Sequence, residues 1–306
     1  MKYNKPALTT DQMIEKLKKR GMIFVDEDTA VQKLSHINYY RLSAYWFPYL
    51  EDKDIDEGLF TPGTTFESMI EEYEFDRRLR TEVLSSIETI EISVRRTWAS
   101  SLGLKYGAFA HLQASIMKNR NTWHISTSRL QNEYNKSREE FIRHHHETYP
   151  DLLLPPIWVT SEITTIGNLF HLIDNLKELQ DRKSISRHYF LDEDVFTSFL
   201  RHISDIRNVC AHHARLWNKR YTRRFQMPKS KKAGFKFRFN KAKYESNKIY
   251  NTIEMLAYFE FIILGEETIR SRISDLFVQF PDIDKLAMGY PRELLKTKSP
   301  KQANKD

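Results

Sequence analysis

Cysteine, glycine and long apolar runs are all scarce in this chain of 306 residues. The single cysteine, Cys210, excludes an intrachain disulfide and suits a reducing compartment. Nine glycines, set among long stretches of Glu, Lys, Arg, Leu and Ile, leave little material for turn-rich sheet folds and point to helices. The most apolar stretch, MLAYFEFIIL at 255–264, is about half the ~20 residues a membrane helix needs and carries Glu260. The start, MKYNKPALTTDQM, lacks the apolar region of a signal peptide. The expectation is therefore a soluble, cytoplasmic protein with no membrane partner. Paired metal-binding spacings are missing as well. Cys210, His212, His213 and the run His144-His145-His146 supply ligand types, but no Cys-x2-Cys or His-x3-His occurs, and helical neighbours point about 100° apart. No metal and no cofactor are expected, and His144–His146 reads as a solvated helix end.

What the sequence does contain is helical punctuation and clustered positive charge. Thr10 or Asp11 can cap a helix that ends near Gly21, and Asp28 opens a second, leading into the aromatic segment INYYRLSAYWFPYL. Thr65 caps the longest helix. Its apolar stripe runs from Phe66 through Ile87 to Trp98, with Gly103 near its end. Further helices are predicted at 128–147, 160–179, 193–213 and 244–274, with PDLLLPPIW as an extended connector. The net charge of +7 concentrates in KRYTRRFQMPKSKKAGFKFRFNKAKY (219–244), which has no acidic residue. FKFRF alternates aromatic and cation, a strand period, so a small basic β-hairpin or a loop insertion is expected there. Its cations Lys219, Arg220, Arg223, Arg224, Lys229, Lys231, Lys232, Lys236, Arg238, Lys241 and Lys243, interleaved with aromatics, fit RNA: cations for phosphates, rings for unpaired bases. A solvated basic loop anchored by its aromatics is the plainer alternative.

One dodecapeptide, RNVCAHHARLWN (207–218), concentrates chemistry at the end of the 193–213 helix. Cys210 falls on the apolar stripe and reads as a small packed hydrophobe. Arg207 and His212 suit phosphodiester cleavage. A histidine titrates near neutrality, where proton transfer is efficient, and a helix C-terminus favours its charged form. An arginine fork holds a phosphate and keeps its charge. Asn208 can orient either group. Five residues along a helix, however, set Arg207 and His212 ~140° apart around the axis. Either the helix ends at about Cys210, or two copies meet at a twofold and build a composite site.

RNVCAHHARLWN resembles the signature of the Abi_2 family, the AbiD/AbiF-type abortive-infection proteins of bacteria. LTTDQMIEKLKKRGMIF, LSHINYYRLSAYW, FTPGTTFESMIEEYEFDRRLR, IETIEISVRR and LPPIWVTSEITTIGNLF resemble further family segments in the family's order. The resemblance implies an all-α HEPN-like helical bundle with an N-terminal helical extension, a single domain over 8–285 followed by a flexible basic tail at 286–306. It implies a metal-independent endoribonuclease toxin of phage defence, leaving a 2′,3′-cyclic phosphate and a 5′-hydroxyl. The Arg-x(4–6)-His motif of HEPN nucleases maps onto Arg207, Asn208 and His212, with His213 as the fallback one residue further on. The resemblance further implies a homodimer with facing motifs, an RNA substrate and a structured non-coding RNA as antitoxin. A non-catalytic protein that only holds such an RNA is the alternative.

Overall fold

Local signals set most helix ends. Thr9 accepts from the Gln12 amide while the Gln12 side chain accepts from the Thr9 amide, a capping box that opens α1 (Thr10–Lys19). Gly21, at φ 90°, follows its end. Asp26 caps α2 (Glu27–His36), and Asn38 caps α3 (Tyr39–Trp46), which continues as a 3-10 turn through Pro48. Thr65 accepts from the Ser68 amide and opens α4 (Phe66–Tyr106), 41 residues long. The helix runs past Gly103, which sits inside it because a Cβ there would lie 3.3 Å from Ile157 Cγ2. Gly107, at φ 86°, follows the end instead.

The computed structural model describes residues 6–55, 57–229, 232–242 and 246–295. Beyond α4 come α5 (Arg120–Lys136), α6 (Glu140–Thr148), α7 (Ile157–Ile163), α8 (Ile166–Asp174) and α9 (Leu179–Ser186). They are followed by α10 (Glu193–Ala211), α11 (Ile249–Leu264), α12 (Ile269–Gln279) and the short α13 (Arg292–Leu295). Where the sequence suggested single helices, extended residues break them: Ser137 at ψ 135° between α5 and α6, Thr164 at ψ 143° between α7 and α8. Left-handed Gly265 ends α11 ahead of α12. The described chain is all-α, as expected. No helix among the described residues is long and apolar enough to cross a membrane. Of the two forms expected for the basic segment, the described residues take the loop insertion: residues 235–239 have no regular secondary structure, and no strand lies beside them among the described residues.

The chain forms two compact units. One holds the residues up to Arg80 with Ser274–Asp284, around a core that includes Leu17, Leu34, Trp46, Phe60 and Phe66. In it, fully buried Asp76 pairs with Arg80 and accepts the Tyr45 hydroxyl at 2.7 Å. The other holds Thr81–Ile273 and the residues from Lys285 onward. Its buried residues include Val83, Ile87, Ile90, Val94 and Trp98 of α4 and the apolar stripes of α10 and α11. Burying a side chain of this size contributes roughly 1.5–3 kcal/mol. Glu260, the acid inside the apolar run, is buried within this unit. It accepts from Ser86, from Arg272 and from the Thr268 and Ile269 amides at the start of α12. Burial pushes its carboxyl up, but the Ser86 hydroxyl, the two amides and Arg272 outweigh it and hold the group below the ordinary range.

Candidate active site and nucleic-acid interface

The apolar stripe of α10 is fully realised: Val195, Phe196, Phe199, Leu200, Ile203, Ile206 and Cys210 are all buried. Phe199 stacks on Phe259 of α11 and Phe196 on Tyr189, both at 5.2 Å between ring centres. Cys210 thus packs as the small hydrophobe the sequence suggested. The end of the helix is built by its own backbone. The His213 amide donates to Cys210 O at 3.0 Å and the Ala214 amide to Val209 O at 2.9 Å, the paired bonds of a Schellman cap. His213 occupies the left-handed position, φ 55°, that such a cap usually gives to glycine. Buried Leu216 and Trp217 then fix the chain beyond it.

This geometry places the motif residues. Asn208, His212 and His213 are exposed, and Arg207 is half-buried. The helix does not stop at Cys210: it continues through Ala211, and the His212 amide still reaches Asn208 O at 3.0 Å. Arg207 and His212 of one chain therefore keep their ~140° offset. Arg207 lines a groove of about 590 Å³ whose other wall is α4, with Leu84, Glu88, Glu91, Ile92 and Arg95. Glu91 pairs with Arg95 at 2.6 Å, and Arg95 also donates to Thr164 O at 2.7 Å. Arg207 forms no hydrogen bond or ion pair with any described residue although two carboxylates line its groove. Its fork of N–H donors is open to an anion. Sequence reasoning missed this α4 wall, which lies more than a hundred positions away. Its one signal was Ile92, an exposed apolar residue outside the buried stripe of α4.

The basic segment has a different build from the one expected. Tyr221, Phe225 and Phe235 are buried, so these rings anchor the segment and are not available to stack on bases. Phe237 and Phe239 are half-buried and stack on each other at 4.5 Å. The two-residue alternation of FKFRF is real, but its partner is the side-chain row of α11. Tyr258 Oη accepts the Lys232 amide at 3.0 Å, Glu254 the Arg238 amide at 2.8 Å and Asn251 the Asn240 amide at 2.8 Å. Asn251 also donates back to Asn240 O at 2.8 Å. A helix face thus stands in for the missing strand. Arg220, Arg223, Arg224, Lys229, Lys236, Arg238 and Lys241 are exposed, and Lys219 and Lys232 half-buried. Arg223 pairs with Asp205 at 3.2 Å, and Lys232 lies 5.3 Å over the Phe190 ring. Lys231 and Lys243 lie outside the described residues.

The histidine run is not a simple solvated end. His144 is exposed, but His145 is buried with Nδ1 2.9 Å from the Tyr134 hydroxyl, and His146 stacks on the Tyr134 ring at 3.9 Å. Burial, then the neighbouring His146 and His144, hold His145 below the ordinary histidine range. Among the described residues no three potential ligands come together as a metal site. Compared with known proteins, the chain matches the family model Abi_2, described as Abi-like protein, over residues 32–218. No curated protein and no solved structure matches it.

Proposed function

This chain belongs to the Abi-like family of abortive-infection proteins, and from that premise we propose that it is a metal-independent endoribonuclease of the HEPN type, acting as a toxin in phage defence. The observation that carries the reading is Arg207: half-buried in a groove, with no hydrogen bond or ion pair to a described residue, five residues before exposed His212. In the proposed reaction a histidine removes the proton of a ribose 2′-hydroxyl, and that oxygen attacks the adjacent phosphorus. The bond to the 5′-oxygen breaks, and a second histidine protonates the leaving oxygen. Arg207 holds the charge that builds on the phosphate, and Asn208 orients the pair. The products are a 2′,3′-cyclic phosphate and a 5′-hydroxyl. The offset between Arg207 and His212 supports a homodimer in which Arg207 of one copy works with His212 of the other. That arrangement also supplies the two histidines the two proton transfers need.

Incubating the purified protein with single-stranded RNA, and typing the fragment ends, tests this. Arg207→Ala and His212→Ala each lose cleavage by on the order of 10²–10⁴, and EDTA leaves the wild type unaffected. Loss of activity in EDTA with recovery in zinc refutes the metal-free mechanism. A dead His213→Ala beside an active His212→Ala moves the role one residue on. Light scattering, and a crosslink between copies carrying Arg215→Cys, test the dimer. The exposed cations of 219–242 favour one other reading, a protein that holds a structured antitoxin RNA without cutting it. Tight RNA binding that yields no fragments, in wild type and His212→Ala alike, supports that reading instead.

A further inference from the structure

The outward face of α10 carries a strip that the Arg207 groove leaves unused. Arg201, Asp205, Asn208 and His212 recur at intervals of four, three and four residues and fall within ~60° around the helix axis. Arg207 lies ~120° round from Arg201, on the flank that faces α4. Asp205 is the one acid in the sequence between Arg201 and His212. Arg223 of the basic segment pairs with it, 3.2 Å from both carboxylate oxygens. The strip from Arg201 to His212 therefore carries no unpaired negative charge. At its Arg201 end it opens onto a cavity of about 400 Å³ between α8, α10 and residues 223–226.

The basic segment is clamped onto α10 at this cavity. His202 Nδ1 lies 3.0 Å from Arg223 O, and the Gln226 amide donates to Ser198 Oγ at 3.0 Å. Between these two bonds the buried Phe225 ring packs on Phe199 and His202, both at 5.2 Å between ring centres. The main chain on either side of Arg224 is thereby fixed, and its side chain lines the same cavity as Arg201. The Arg201 guanidinium stands 5.9 Å from the centre of the buried Phe170 ring, which steadies the cation without using its N–H fork. Neither Arg201 nor Arg224 forms a hydrogen bond or ion pair with any described residue. Two like charges lining one cavity repel, and an oxyanion between them replaces that repulsion with charge-assisted hydrogen bonds. Three acids also line the cavity. Glu193 pairs with Arg182 at 3.2 Å, and Lys118 stands beside Asp174, its Nζ donating to the Asp174 carbonyl at 2.9 Å. Asp194 lies on the Arg201 face ~10 Å further from His212, and there the positive strip ends.

We propose that Arg201 and Arg224 hold a backbone phosphate of single-stranded RNA remote from the scissile one, so that the strand runs along α10 from this cavity to His212. The eleven residues between Arg201 and His212 span ~16 Å, about five nucleotides at the 3.4 Å spacing of a stacked strand. The proposal rests on the nuclease reading for what happens at His212, whereas the strand path is read from binding. Fluorescence anisotropy with a labelled single-stranded decaribonucleotide tests it, on His212→Ala protein so that the probe survives. Adding Arg201→Gln and Arg224→Gln together weakens binding at least about tenfold and lowers the salt slope by about 1.4. Lys136→Gln with Arg143→Gln removes two exposed cations from α5 and α6 instead, and leaves affinity and slope unchanged. With His212 intact, the advantage in kcat/KM of the decamer over the dinucleotide UpA falls in the Arg201/Arg224 variant, through a raised KM for the decamer. Decamer binding that ignores that variant, or that falls equally in the Lys136/Arg143 control, overturns the strand path even if Arg207 and His212 prove essential for cleavage. A decamer advantage that survives the variant overturns it as well. Full cleavage by His212→Ala sinks the nuclease mechanism, and a binding loss confined to the Arg201/Arg224 variant then still supports the phosphate site.

Discussion

His202 makes the second unit acid-sensitive in a way that can be measured on one side chain. Burial pushes its imidazole down to about 4, and the Arg223 carbonyl and Asp205, which favour the charged ring, only partly oppose this. In the unfolded chain the same ring titrates near 6.5. Because the folded value is the lower one, the unfolded state binds the proton first as pH falls. The contribution is intact above about pH 6.5 and is lost progressively between there and about pH 4. Between pH 7 and pH 5 this residue alone removes about 2 kcal/mol of stability. His202→Gln tests it: glutamine retains a donor for the Arg223 carbonyl and an acceptor for the Thr252 hydroxyl, yet cannot titrate. Urea unfolding followed by circular dichroism at both pH values gives the stability gap between wild type and variant. The carboxylates and His111, whose own value burial pushes down to about 4, are common to both proteins and cancel. The gap should shift by about 2 kcal/mol in the variant's favour on going to pH 5. A gap that stays constant would mean that His202 titrates normally in the fold, and that it is wetter than its packing indicates.

His213→Gly relieves a left-handed histidine at the α10 cap and gains about 0.5 kcal/mol by thermal unfolding, with cleavage retained if His212 carries the proton transfers. A loss of cleavage in that variant assigns the chemistry to His213. Glu254→Ala removes a buried carboxylate that pairs with Arg270 at 2.7 Å and accepts the Arg238 amide. It costs about 3–5 kcal/mol and raises proteolysis within 232–240. Unchanged protease resistance would mean that the α11 row does not hold the segment. Reversing exposed Lys236 and Arg238 to glutamate leaves the unfolding midpoint nearly unchanged while weakening RNA binding and flattening its salt dependence. An unaltered salt slope would return the two cations to the role of solvated surface.

Period and punctuation carry conformation, and partners lie beyond their reach. The stripe from Val195 to Cys210 predicts both α10 and its buried face, because a 3.6-residue period states which side meets a core. The same reasoning gives FKFRF two alternating faces, and its burial does alternate, but a period of two does not say whether a strand or a helix edge receives the amides. Here Asn251 and Glu254 do so, and nothing in 235–239 announces them. Gly103 reads as a terminator by type, whereas its meaning is the approach of Ile157, fifty-four positions away. His145 reads as solvent-facing from its charged neighbours, and only the placement of Tyr134 buries it. The chemistry proposed for Arg207 and His212 rests on their side-chain types, which the sequence states directly. The α4 wall beside Arg207 and the cavity behind Arg224 arise from long-range packing, which one sequence does not encode as a local pattern.

α11 grips residues 232–240 through main-chain atoms, with amides accepted by Tyr258, Glu254 and Asn251 and a carbonyl held by Asn251, and through the inward rings of Phe235 and Phe237 against Tyr258. None of these contacts reads the identity of the outward-facing side chains at 236 and 238. The segment therefore behaves as a fixed mount with an exchangeable face. Substitutions at its outer positions can redraw the surface charge presented to a ligand without a matching change in the helix beneath. If the segment meets RNA as proposed, recognition of a new RNA could change there by single substitutions, none of which would have to pass through an unfolded protein.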